Sequence, residues 1–455
     1  MSKLKEYFKI TYHIEISDLI DDVGTNLDGS NSNQVIFYRL KNGGDKALKN
    51  RLENSRPGLL ILSRKPTFKL NINHLVICDE RFESTQTEVC EILYPIEKYP
   101  KIIGVTGTNG KTSVCYFGMQ VGNSLGFNCL SVGTIGVYGK NGKLETEHRT
   151  TTPSKVEFYK IIYKNKPQVV FIELSSHAIE QERLGNILLD SAAWTNFSQD
   201  HLDYHHSMES YFNSKLGIIK YLKNGKKLKI PKTESDLAQK LMAINVEFEL
   251  VDLVTNSSNN MVFDLEYNLK NISLAIFLIR DALEIDKIDS NILKNITSPP
   301  GRFDVIPVAS KSHVVVDYAH TPDAVEQILK SIKSSYPDHK VYTIVGCGGN
   351  RDKAKRPLMA RAACENSDLA IFTSDNPRDE EPISIIKDMI SDIEYTNYKI
   401  EVNRREAINI GVQLMNDSTI LLVLGKGHEA YQEVGGRKLP FDDKLEAEKI
   451  IKALK

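Results

Sequence analysis

Six consecutive residues in the first third of the chain have the composition of a loop that binds nucleotide phosphates. Glycines let backbone N–H groups converge on phosphate oxygens, and the N-terminus of a following helix adds a favourable dipole. The lysine ammonium would neutralise the β- and γ-phosphates, and the last hydroxyl would reach a Mg²⁺ ion. The spacing departs from GxxxxGK[ST], because Val105 takes the place of its first glycine. We therefore predict that ATP binds to Gly107, Thr108, Asn109, Gly110, Lys111 and Thr112.

Glu173 closes the apolar run VVFIE and is a candidate magnesium ligand. A carboxylate at a strand end beside a phosphate loop suits Mg²⁺, which prefers a few hard oxygens and retained waters. The following residues also fit a structural role, because Ser175 or Ser176 could cap a helix. Both interpretations stay open on the residues alone.

The segment 200–206, DHLDYHH, has the residue types of a metal cluster. A structural zinc site needs four closely held nitrogen or sulfur ligands, and no cysteine lies nearby in the sequence, so we exclude zinc. His201 is a candidate ligand for a second magnesium ion. His205 and His206 are expected to be surface or hydrogen-bonding residues.

Alternating strand and helix patterns must position these residues. The run IIGV predicts a buried strand before the phosphate loop, 113–125 a helix after it, and 129–138 and 167–177 further strands. This alternation predicts a mostly parallel sheet with helices on both faces. The lysine-rich stretch 222–236 is interpreted as a solvated surface loop.

Two further α/β units flank this sheet. Short apolar runs at 35–38, 58–63 and 74–80 predict a small N-terminal unit, followed by a linker at 93–101 with two prolines. After the prolines at 299 and 300, four apolar runs are each followed by polar residues, at 313–320, 340–349, 369–377 and 419–429. Open parallel sheets bind ligands in that place, beyond the carboxyl ends of their strands.

The predicted architecture is therefore α/β with three domains. They are a small N-terminal α/β domain (1–98), a central P-loop ATPase-like parallel sheet (99–299) and a C-terminal Rossmann-like domain (300–455).

The bulk composition is that of an ordinary globular protein. The 455 residues are 41% apolar and 26% charged, with a formal net charge of -1. That charge provides no general field for collecting nucleic acid or anionic lipid, so we expect neither nucleic acid nor a membrane as a partner. The six cysteines form no CxxC pair and suggest free thiols in a reducing compartment. The N-terminus lacks the apolar core of a signal peptide, and we predict a cytoplasmic monomer.

Nine motifs resemble those of the Mur ligase superfamily, and specifically of the UDP-MurNAc-tripeptide synthetases. They are GTNGKT (107–112), TTP (151–153), ELSSHAIEQERL (173–184), TNFSQDHLDYH (195–205), GRFDVI (301–306), VVVDYAHTPDA (314–324), GCGGNRDKAKRPLM (346–359), SDNPRDEEP (374–382) and GKGHEAYQ (425–432). The motifs follow the family's order and cover the chain from about residue 100 to residue 455.

The resemblance implies an ATP-dependent ligase that forms an amide bond in peptidoglycan precursor synthesis and releases ADP and phosphate. In that family, ATP phosphorylates the glutamyl carboxylate of UDP-MurNAc-L-Ala-D-Glu. The amine of an incoming amino acid then attacks the acyl phosphate. The protein must position three ligands and neutralise charge on the transferring phosphate.

The resemblance also implies roles for residues around the nucleotide. Asn271 would contact adenine, and Arg302 and Asp317 would lie near the nucleotide after domain closure. Lys215 falls at the family's carbamylated lysine, where addition of CO₂ creates a carboxylate able to bind Mg²⁺. Only a neutral amine reacts in this way, so burial that lowers its pKa would help. The alternative is an ordinary lysine on a surface helix. The implied catalytic residues are Lys111, Glu173, His201 and Lys215, and the implied magnesium ligands are Thr112, Glu173, His201 and Lys215.

Two sets of residues match the family's substrate sites. The muramyl dipeptide would be bound by Thr151, Thr152, Ser175, Gln181 and Arg183. Without the resemblance, the last two would be taken for an exposed helix end. The incoming amino acid would be bound by Arg351, Asp375, Asn376, Arg378, Gly425 and Glu429.

The DNPR motif at 375–378 resembles that of family members that add meso-diaminopimelate. The distal carboxylate of that substrate can be clamped by Arg351 and Arg378, while Asp375 and Glu429 can receive its ammonium. Lysine lacks this carboxylate and would leave a buried arginine unpaired, which costs several kcal/mol. An ordinary Asn-Pro turn is the simpler alternative.

The first domain departs from the family pattern. The usual Asp-Ser-Arg signature is absent, and the nearest segment is Asn54-Ser55-Arg56, so no uridine-binding residue is assigned. Two alternatives therefore stand beside the diaminopimelate ligase. One is a Mur-type ligase for L-lysine, another amino acid or another acyl carrier, and the other is a catalytically silent nucleotide-binding protein.

Overall fold

The structure is a computed structural model that describes residues 3–40, 43–70, 75–144, 150–255, 260–309 and 311–454. Its strands form three mostly parallel sheets and one separate hairpin. Each sheet lies within one of the three predicted domain ranges, and the predicted α/β fold class is confirmed. The domain limits themselves remain a prediction.

The N-terminal unit is a four-stranded parallel sheet with three helices in the described ranges. Its elements are α1 (Lys3–Tyr12), β1 (Asp22–Gly24), β2 (Gln34–Tyr38), α2 (Asp45–Leu52), β3 (Leu59–Leu62), β4 (Leu75–Cys78) and α3 (Phe82–Leu93). The strands lie in the order β1-β2-β3-β4, and β2, β3 and β4 coincide with the three predicted apolar runs. One face of this sheet shares a continuous apolar core with the central unit.

The central unit contains an eight-stranded sheet. Its elements are β5 (Lys101–Thr106), α4 (Lys111–Ser124), β6 (Cys129–Gly133), β7 (Gly136–Gly139), β8 (Gly142–Leu144), α5 (Lys155–Asn165), β9 (Val169–Glu173), α6 (Ser176–Glu180), β10 (Ser191–Trp194), α7 (Leu202–His205), α8 (Met208–Leu216), β11 (Leu228–Pro231), α9 (Ser235–Ala243), β12 (Phe248–Val251) and α10 (Glu266–Leu283). The order is β12-β11-β10-β5-β9-β6-β7-β8, antiparallel only at β6-β7-β8. Because β10, β5, β9 and β6 are parallel neighbours, the loops that follow them meet at one edge.

The C-terminal unit contains a six-stranded sheet and the separate hairpin. Its elements are β13 (Asp304–Pro307), β14 (His313–Asp317), α11 (Pro322–Ser335), β15 (Lys340–Val345), α12 (Lys355–Asn366), β16 (Leu369–Phe372), α13 (Pro382–Ile390), β17 (Tyr398–Ile400), α14 (Arg404–Gln413), β18 (Thr419–Leu424), β19 (Tyr431–Val434), β20 (Arg437–Pro440) and α15 (Asp443–Leu454). The sheet order is β13-β14-β18-β15-β16-β17, and only β13 is antiparallel. The four predicted strands are β14, β15, β16 and β18, whose carboxyl ends share one edge.

The interpretation of 222–236 as a surface loop was wrong. Strand β11 occupies Leu228–Pro231 inside the central sheet, with all four residues buried. Lys229 is 3% exposed, and its Nζ donates to Glu249 Oε2 at 2.8 Å and lies 3.6 Å from Asp281 Oδ2. A buried lysine needs such carboxylate partners. They come from elements far along the chain, so the local lysine content was misleading.

Two further sequence predictions bear on the environment of the protein. Cys90, Cys115, Cys129, Cys347 and Cys364 are buried free thiols, as predicted for these positions. None of the described helices has both the length and the apolar character needed to span a membrane.

Candidate active site

The phosphate loop lies between β5 and α4, in the predicted strand–loop–helix arrangement. Gly110 precedes α4 with a φ of +82°, and a Cβ placed on it would lie 2.5 Å from Asn271 Oδ1. A Cβ on Gly107 would lie 1.8 Å from Thr195 Oγ1. The loop is therefore packed against β10 and α10, and both glycines are required by close approach.

Replacing Gly110 with alanine should lower ATP affinity at least about tenfold. The positive φ costs roughly 1–3 kcal/mol for a non-glycine residue, and the new methyl group would displace the buried Asn271 side chain; about 1.4 kcal/mol corresponds to a factor of ten. Gly126→Ala is the matched control, because Gly126 has a φ of +89° but nothing within 4 Å of its Cβ position. Nucleotide titration of both variants checks the prediction, and equal affinities would contradict it.

Two lysines converge on the loop. Lys111 Nζ donates to the carbonyls of Gly107 at 2.8 Å and Thr108 at 2.9 Å. Lys215 Nζ donates to the same Gly107 carbonyl at 2.6 Å and lies 4.5 Å from the centre of the Tyr211 ring. Lys215 is 1% exposed, so the alternative of a surface-helix lysine is wrong.

The environment favours an uncharged amine on Lys215. Burial, and secondly the nearby Lys111 ammonium, lower the pKa of Lys215 well below its ordinary value, while Asp200 opposes the shift. Burial also lowers the pKa of Lys111. A neutral amine is the form that can add CO₂, so the surroundings of Lys215 fit the chemistry of carbamylation.

Glu173 lies at the end of β9 and is 1% exposed. Its Oε1 accepts a hydrogen bond from the Thr134 backbone N–H at 2.8 Å, and its Oε2 accepts one from the Thr134 hydroxyl at 3.1 Å. Ser175 meanwhile caps α6 by accepting from the Ala178 N–H at 3.2 Å. The capping interpretation is therefore confirmed for Ser175, and the role of the buried Glu173 carboxylate as a magnesium ligand stays a prediction.

The histidine segment lies beside the same edge of the sheet. His201 has a left-handed φ of +52°, and its Nε2 is 3.4 Å from Asp200 Oδ2. His205 is buried with Nε2 2.9 Å from Ser176 Oγ, and His206 is exposed. Within the described ranges, no three His, Cys, Asp or Glu side chains form a group able to hold a metal ion. Mg²⁺ commonly takes only one or two carboxylates and completes its shell with phosphates and waters, so Glu173 and Thr112 beside a phosphate loop fit it.

One cleft of about 180 Å³ joins the central and C-terminal units. It is lined by the phosphate loop, Glu173 and Asn271 on one side and by Arg302 and Asp317 on the other. Asp317 accepts backbone hydrogen bonds from Phe303 and Ala319, each at 2.7 Å. Burial raises the pKa of Asp317, and the Arg302 guanidinium opposes that shift. The predicted nucleotide residues are thus brought to one cleft from two domains.

Several of the residues that line this cleft carry buried polar groups. Among the described residues, Arg302 Nε, Tyr267 OH and Asn268 Nδ2 are buried without a hydrogen-bond partner. Buried polar groups are normally paired, so a polar ligand here would satisfy them. Sequence reasoning missed Tyr267 and Asn268. The three-residue spacing of Asn268 and Asn271 on one helix face was the available signal.

The five predicted muramyl-dipeptide residues form one hydrogen-bonded network beside Glu173. Thr152 Oγ1 donates to the Glu173 carbonyl at 2.7 Å and accepts from the Ser175 N–H at 3.1 Å. Arg183 donates to the Thr152 carbonyl at 3.0 Å and to Gln181 Oε1 at 3.1 Å. The fifth residue, Thr151, has its hydroxyl 3.2 Å from that of Thr134. Gln181 and Arg183 are therefore tied to Thr152 and are not merely an exposed helix end, while their role in binding stays a prediction.

A second cavity, of about 620 Å³, lies between the N-terminal and central units and reaches Gln181 and Arg183. The described residues that line it include Phe37, Arg39, Phe82 and Lys155. None of Asn54, Ser55 and Arg56 lines it.

Two of the cations that line this second cavity, Arg39 and Lys155, pair with Glu83. Arg39 pairs with the Glu83 carboxylate, and Lys155, which is 2% exposed, donates to it at 3.0 Å and to Thr87 Oγ1 at 3.0 Å. Arg39 directly follows the end of β2, so the pattern of a polar residue after an apolar strand was the missed signal.

The predicted acceptor residues lie at neighbouring strand ends of the C-terminal sheet. Asn376 Nδ2 donates to Glu429 Oε2 at 2.8 Å, and a Cβ on Gly425 would lie 2.7 Å from Asp375 Oδ2. A Cβ on Gly348, after β15, would lie 2.9 Å from Arg378 Nη1 and 3.6 Å from Arg351 Cγ. Sequence reasoning missed Lys426 in this region. Lys426 is fully buried, and its Nζ lies 3.1 Å from Glu429 Oε2.

Comparisons with known proteins agree with this arrangement. The Mur ligase middle domain family matches residues 105–296, and the family described as Mur ligase, glutamate ligase domain matches residues 301–427. Curated relatives match over most of the chain at 34% to 38% identity. The chain belongs to the Mur ligase family, whose members are ATP-dependent ligases that form amide bonds. The predicted superfamily and enzyme class are confirmed.

The relatives share one name. A protein of Rickettsia montanensis is 38% identical over 80% of this chain and 82% of its own length, and one of Fusobacterium nucleatum is 34% identical over 94% and 90%. Both are named UDP-N-acetylmuramoyl-L-alanyl-D-glutamate–2,6-diaminopimelate ligase. A solved structure with that name has a TM-score of 0.61 and 26% identity, covering 98% of this chain and 99% of the other. The MurF ligase of Thermotoga maritima, in complex with ADP, has a TM-score of 0.63 at 14% identity, over 97% and 100%, and thus shares the fold.

Proposed function

We propose that this chain uses ATP to join meso-diaminopimelate to UDP-MurNAc-L-Ala-D-Glu in peptidoglycan precursor synthesis. The observation that carries the choice of acceptor is the approach of Arg351 and Arg378 to Gly348 after β15, while Asp375 and Glu429 follow the neighbouring strands β16 and β18. Cationic and anionic side chains at these neighbouring strand ends match an amino acid with a second, zwitterionic head. The shared name of the relatives supports the same substrates.

The chain's own residues account for the positioning of ATP. The phosphate loop and Lys111 would hold the β- and γ-phosphates, Asn271 would contact adenine, and Arg302 and Asp317 would contact the nucleotide from the other side of the cleft. The unpaired buried Arg302 Nε supports this role, because a phosphate or ribose oxygen would satisfy it.

Magnesium would be held by Thr112, Glu173, His201 and a carbamylated Lys215. The metal would neutralise charge on the transferring phosphate. The buried carboxylate of Glu173 and the depressed pKa of Lys215 support these assignments. The same edge of the sheet carries the Thr152–Arg183 network, so the glutamyl carboxylate of the carrier would lie beside the phosphate loop and accept the γ-phosphoryl group.

The UDP part of the carrier would occupy the second cavity, where Arg39 and Lys155 can neutralise its diphosphate. Arg39→Ala should weaken binding of the UDP-carrier about tenfold, as expected for loss of one charge-assisted contact worth about 1.5 kcal/mol. Arg81→Ala is the control, because Arg81 pairs with Glu88 on the same domain and does not line the cavity. Binding of UDP, measured by titration, checks the prediction. Equal binding by wild type and Arg39→Ala would contradict it.

The decisive test of function is phosphate release in the presence of ATP, Mg²⁺ and UDP-MurNAc-L-Ala-D-Glu. We expect release with meso-diaminopimelate and little with L-lysine or without an amino acid. Release with lysine in place of diaminopimelate would refute the acceptor assignment and leave a ligase. No release with any acceptor would point to a different carrier, recognised by the divergent first domain.

A further inference from the structure

The β19–β20 hairpin lies outside the three large sheets and directly follows the loop that carries Gly425 and Glu429. Its strands pair antiparallel across a Gly435-Gly436 turn. The hairpin is mostly exposed. Its contacts are concentrated on one partner, the loop 374–378 that carries the DNPR motif.

The hairpin is joined to Arg378 through the backbone. The Arg378 N–H donates to the Glu433 carbonyl at 2.9 Å, and the Gly435 N–H donates to the Arg378 carbonyl at 2.7 Å. Arg378 has a φ of +52°, a left-handed conformation that residues other than glycine rarely adopt. The two hydrogen bonds from the hairpin therefore hold Arg378 in a backbone conformation that the DNPR loop alone would not favour.

Side chains strengthen the same junction. Gln432 Nε2 donates to the Asp375 carbonyl at 2.6 Å, and the Glu433 N–H donates to Asn376 Oδ1 at 2.9 Å. Three positions of the acceptor loop, 375, 376 and 378, are thus each bonded to the hairpin. Hydrogen bonds to a β-hairpin place these positions more reproducibly than a loop without such bonds would.

The guanidinium of Arg378 is oriented by two contacts. Its Nε lies 3.2 Å from Glu433 Oε2, and its Nη1 donates to the Gly349 carbonyl at 2.8 Å. Within the described part of the chain, no hydrogen bond engages Nη2. A guanidinium has five N–H donors, so these contacts leave the Nη1–Nη2 edge able to bind a carboxylate with two parallel hydrogen bonds.

We propose that the β19–β20 hairpin is a specificity element of the acceptor pocket, in which Glu433 is a positioning residue that fixes the Arg378 guanidinium for the acceptor's distal carboxylate. This inference rests on the proposed diaminopimelate ligase function. Glu433 holds Nε from the hairpin side, and the Gly349 carbonyl holds Nη1 from the β15 side. The side chain is then pre-oriented before the substrate arrives, which reduces the entropy lost on binding.

The test compares steady-state kinetics of Glu433→Ala, Glu433→Gln and wild type with meso-diaminopimelate and L-lysine. Glu433→Ala should raise the KM for diaminopimelate about tenfold and reduce selectivity over lysine by a similar factor, while kcat and the KM for ATP stay within about twofold. Glu433→Gln keeps the length of the side chain but removes the charge of the ion pair with Nε, so its KM should lie between those of Glu433→Ala and wild type. Arg437→Ala, an exposed position on the other hairpin strand, is the matched control and should behave as wild type.

The outcomes separate this inference from the proposed function. Wild-type selectivity for diaminopimelate together with an unchanged KM in Glu433→Ala would overturn only the role of Glu433. An equal loss of kcat in both Glu433 variants, with no change in KM, would also overturn it, because that pattern signals a general structural defect. Turnover of lysine but not diaminopimelate by wild type would overturn both proposals.

Discussion

Replacing Lys111 with methionine should reduce ATP-dependent phosphate release about 10³-fold, the upper range for loss of one pre-oriented charge at a transferring phosphate. Its ammonium lies within the phosphate loop, bonded to the carbonyls of Gly107 and Thr108, and it lines the nucleotide cleft. We expect those bonds to be exchanged for bonds to phosphate oxygens when the nucleotide binds. Methionine has similar length but no charge, so the loss should fall on kcat. The measurement is the rate of phosphate release at saturating ATP.

The control for this variant is Lys140→Met, which removes a lysine from an exposed position after β7. It should retain wild-type activity. The Gly107 carbonyl keeps its hydrogen bond from Lys215 in Lys111→Met, so thermal unfolding should show a folded protein. Wild-type rates in folded Lys111→Met would refute the assignment of the loop as the catalytic phosphate site.

Replacing Lys215 with methionine should reduce activity at least about 10²-fold, because the proposed carbamate and its metal contact are lost. Lys215→Arg should be equally impaired, since a guanidinium cannot form a carbamate and stays charged. Wild-type activity should fall in CO₂-depleted buffer and return when bicarbonate is added, whereas neither variant should respond. Phosphate release with and without bicarbonate measures all three.

A neighbouring lysine provides the matched control for position 215. Lys220 lies five residues along the chain and is exposed, so Lys220→Met should retain both activity and the response to bicarbonate. The Gly107 carbonyl retains its bond from Lys111 in the Lys215 variants, which preserves the loop. High activity in Lys215→Met, or a wild-type enzyme indifferent to CO₂, would exclude the carbamate.

The acceptor residues and the nucleotide cleft are joined through the segment that precedes Arg302. A Cβ on Gly301 would lie 2.1 Å from the His428 backbone N, so the segment before Arg302 packs against the loop that carries Gly425 and Glu429. Arg302 in turn lines the nucleotide cleft and lies 4.5 Å from the Tyr318 ring centre. The nucleotide and acceptor sites are therefore connected through a few residues of the C-terminal unit.

Local sequence determined the phosphate loop and the strand-end residues. A Gly-rich turn between an apolar strand and a helix depends on backbone geometry over a few residues, and Gly110 with α4 formed as predicted. The four apolar runs of the C-terminal sheet likewise became β14, β15, β16 and β18. Because parallel strands end at a common edge, the positions of Asp317 and Asp375 followed from the pattern alone.

Tertiary contacts decided the remaining features. Lys229 and Lys215 have nothing in their local sequence that predicts burial, and their partners are 20 and 108 positions away. The contacts of Lys426 and Arg39 also depend on the fold. Lys426 donates to Asn376, in the loop after β16, and Arg39 pairs with Glu83. The sequence by itself determined the α/β fold, the phosphate loop and the strand-end candidates, since these depend on short-range backbone preferences, and its motifs indicated the ligase family. The tertiary structure alone decided which lysines are buried, which cavity adjoins Arg183 and how Arg378 is oriented, because charge burial depends on groups that are distant in the chain.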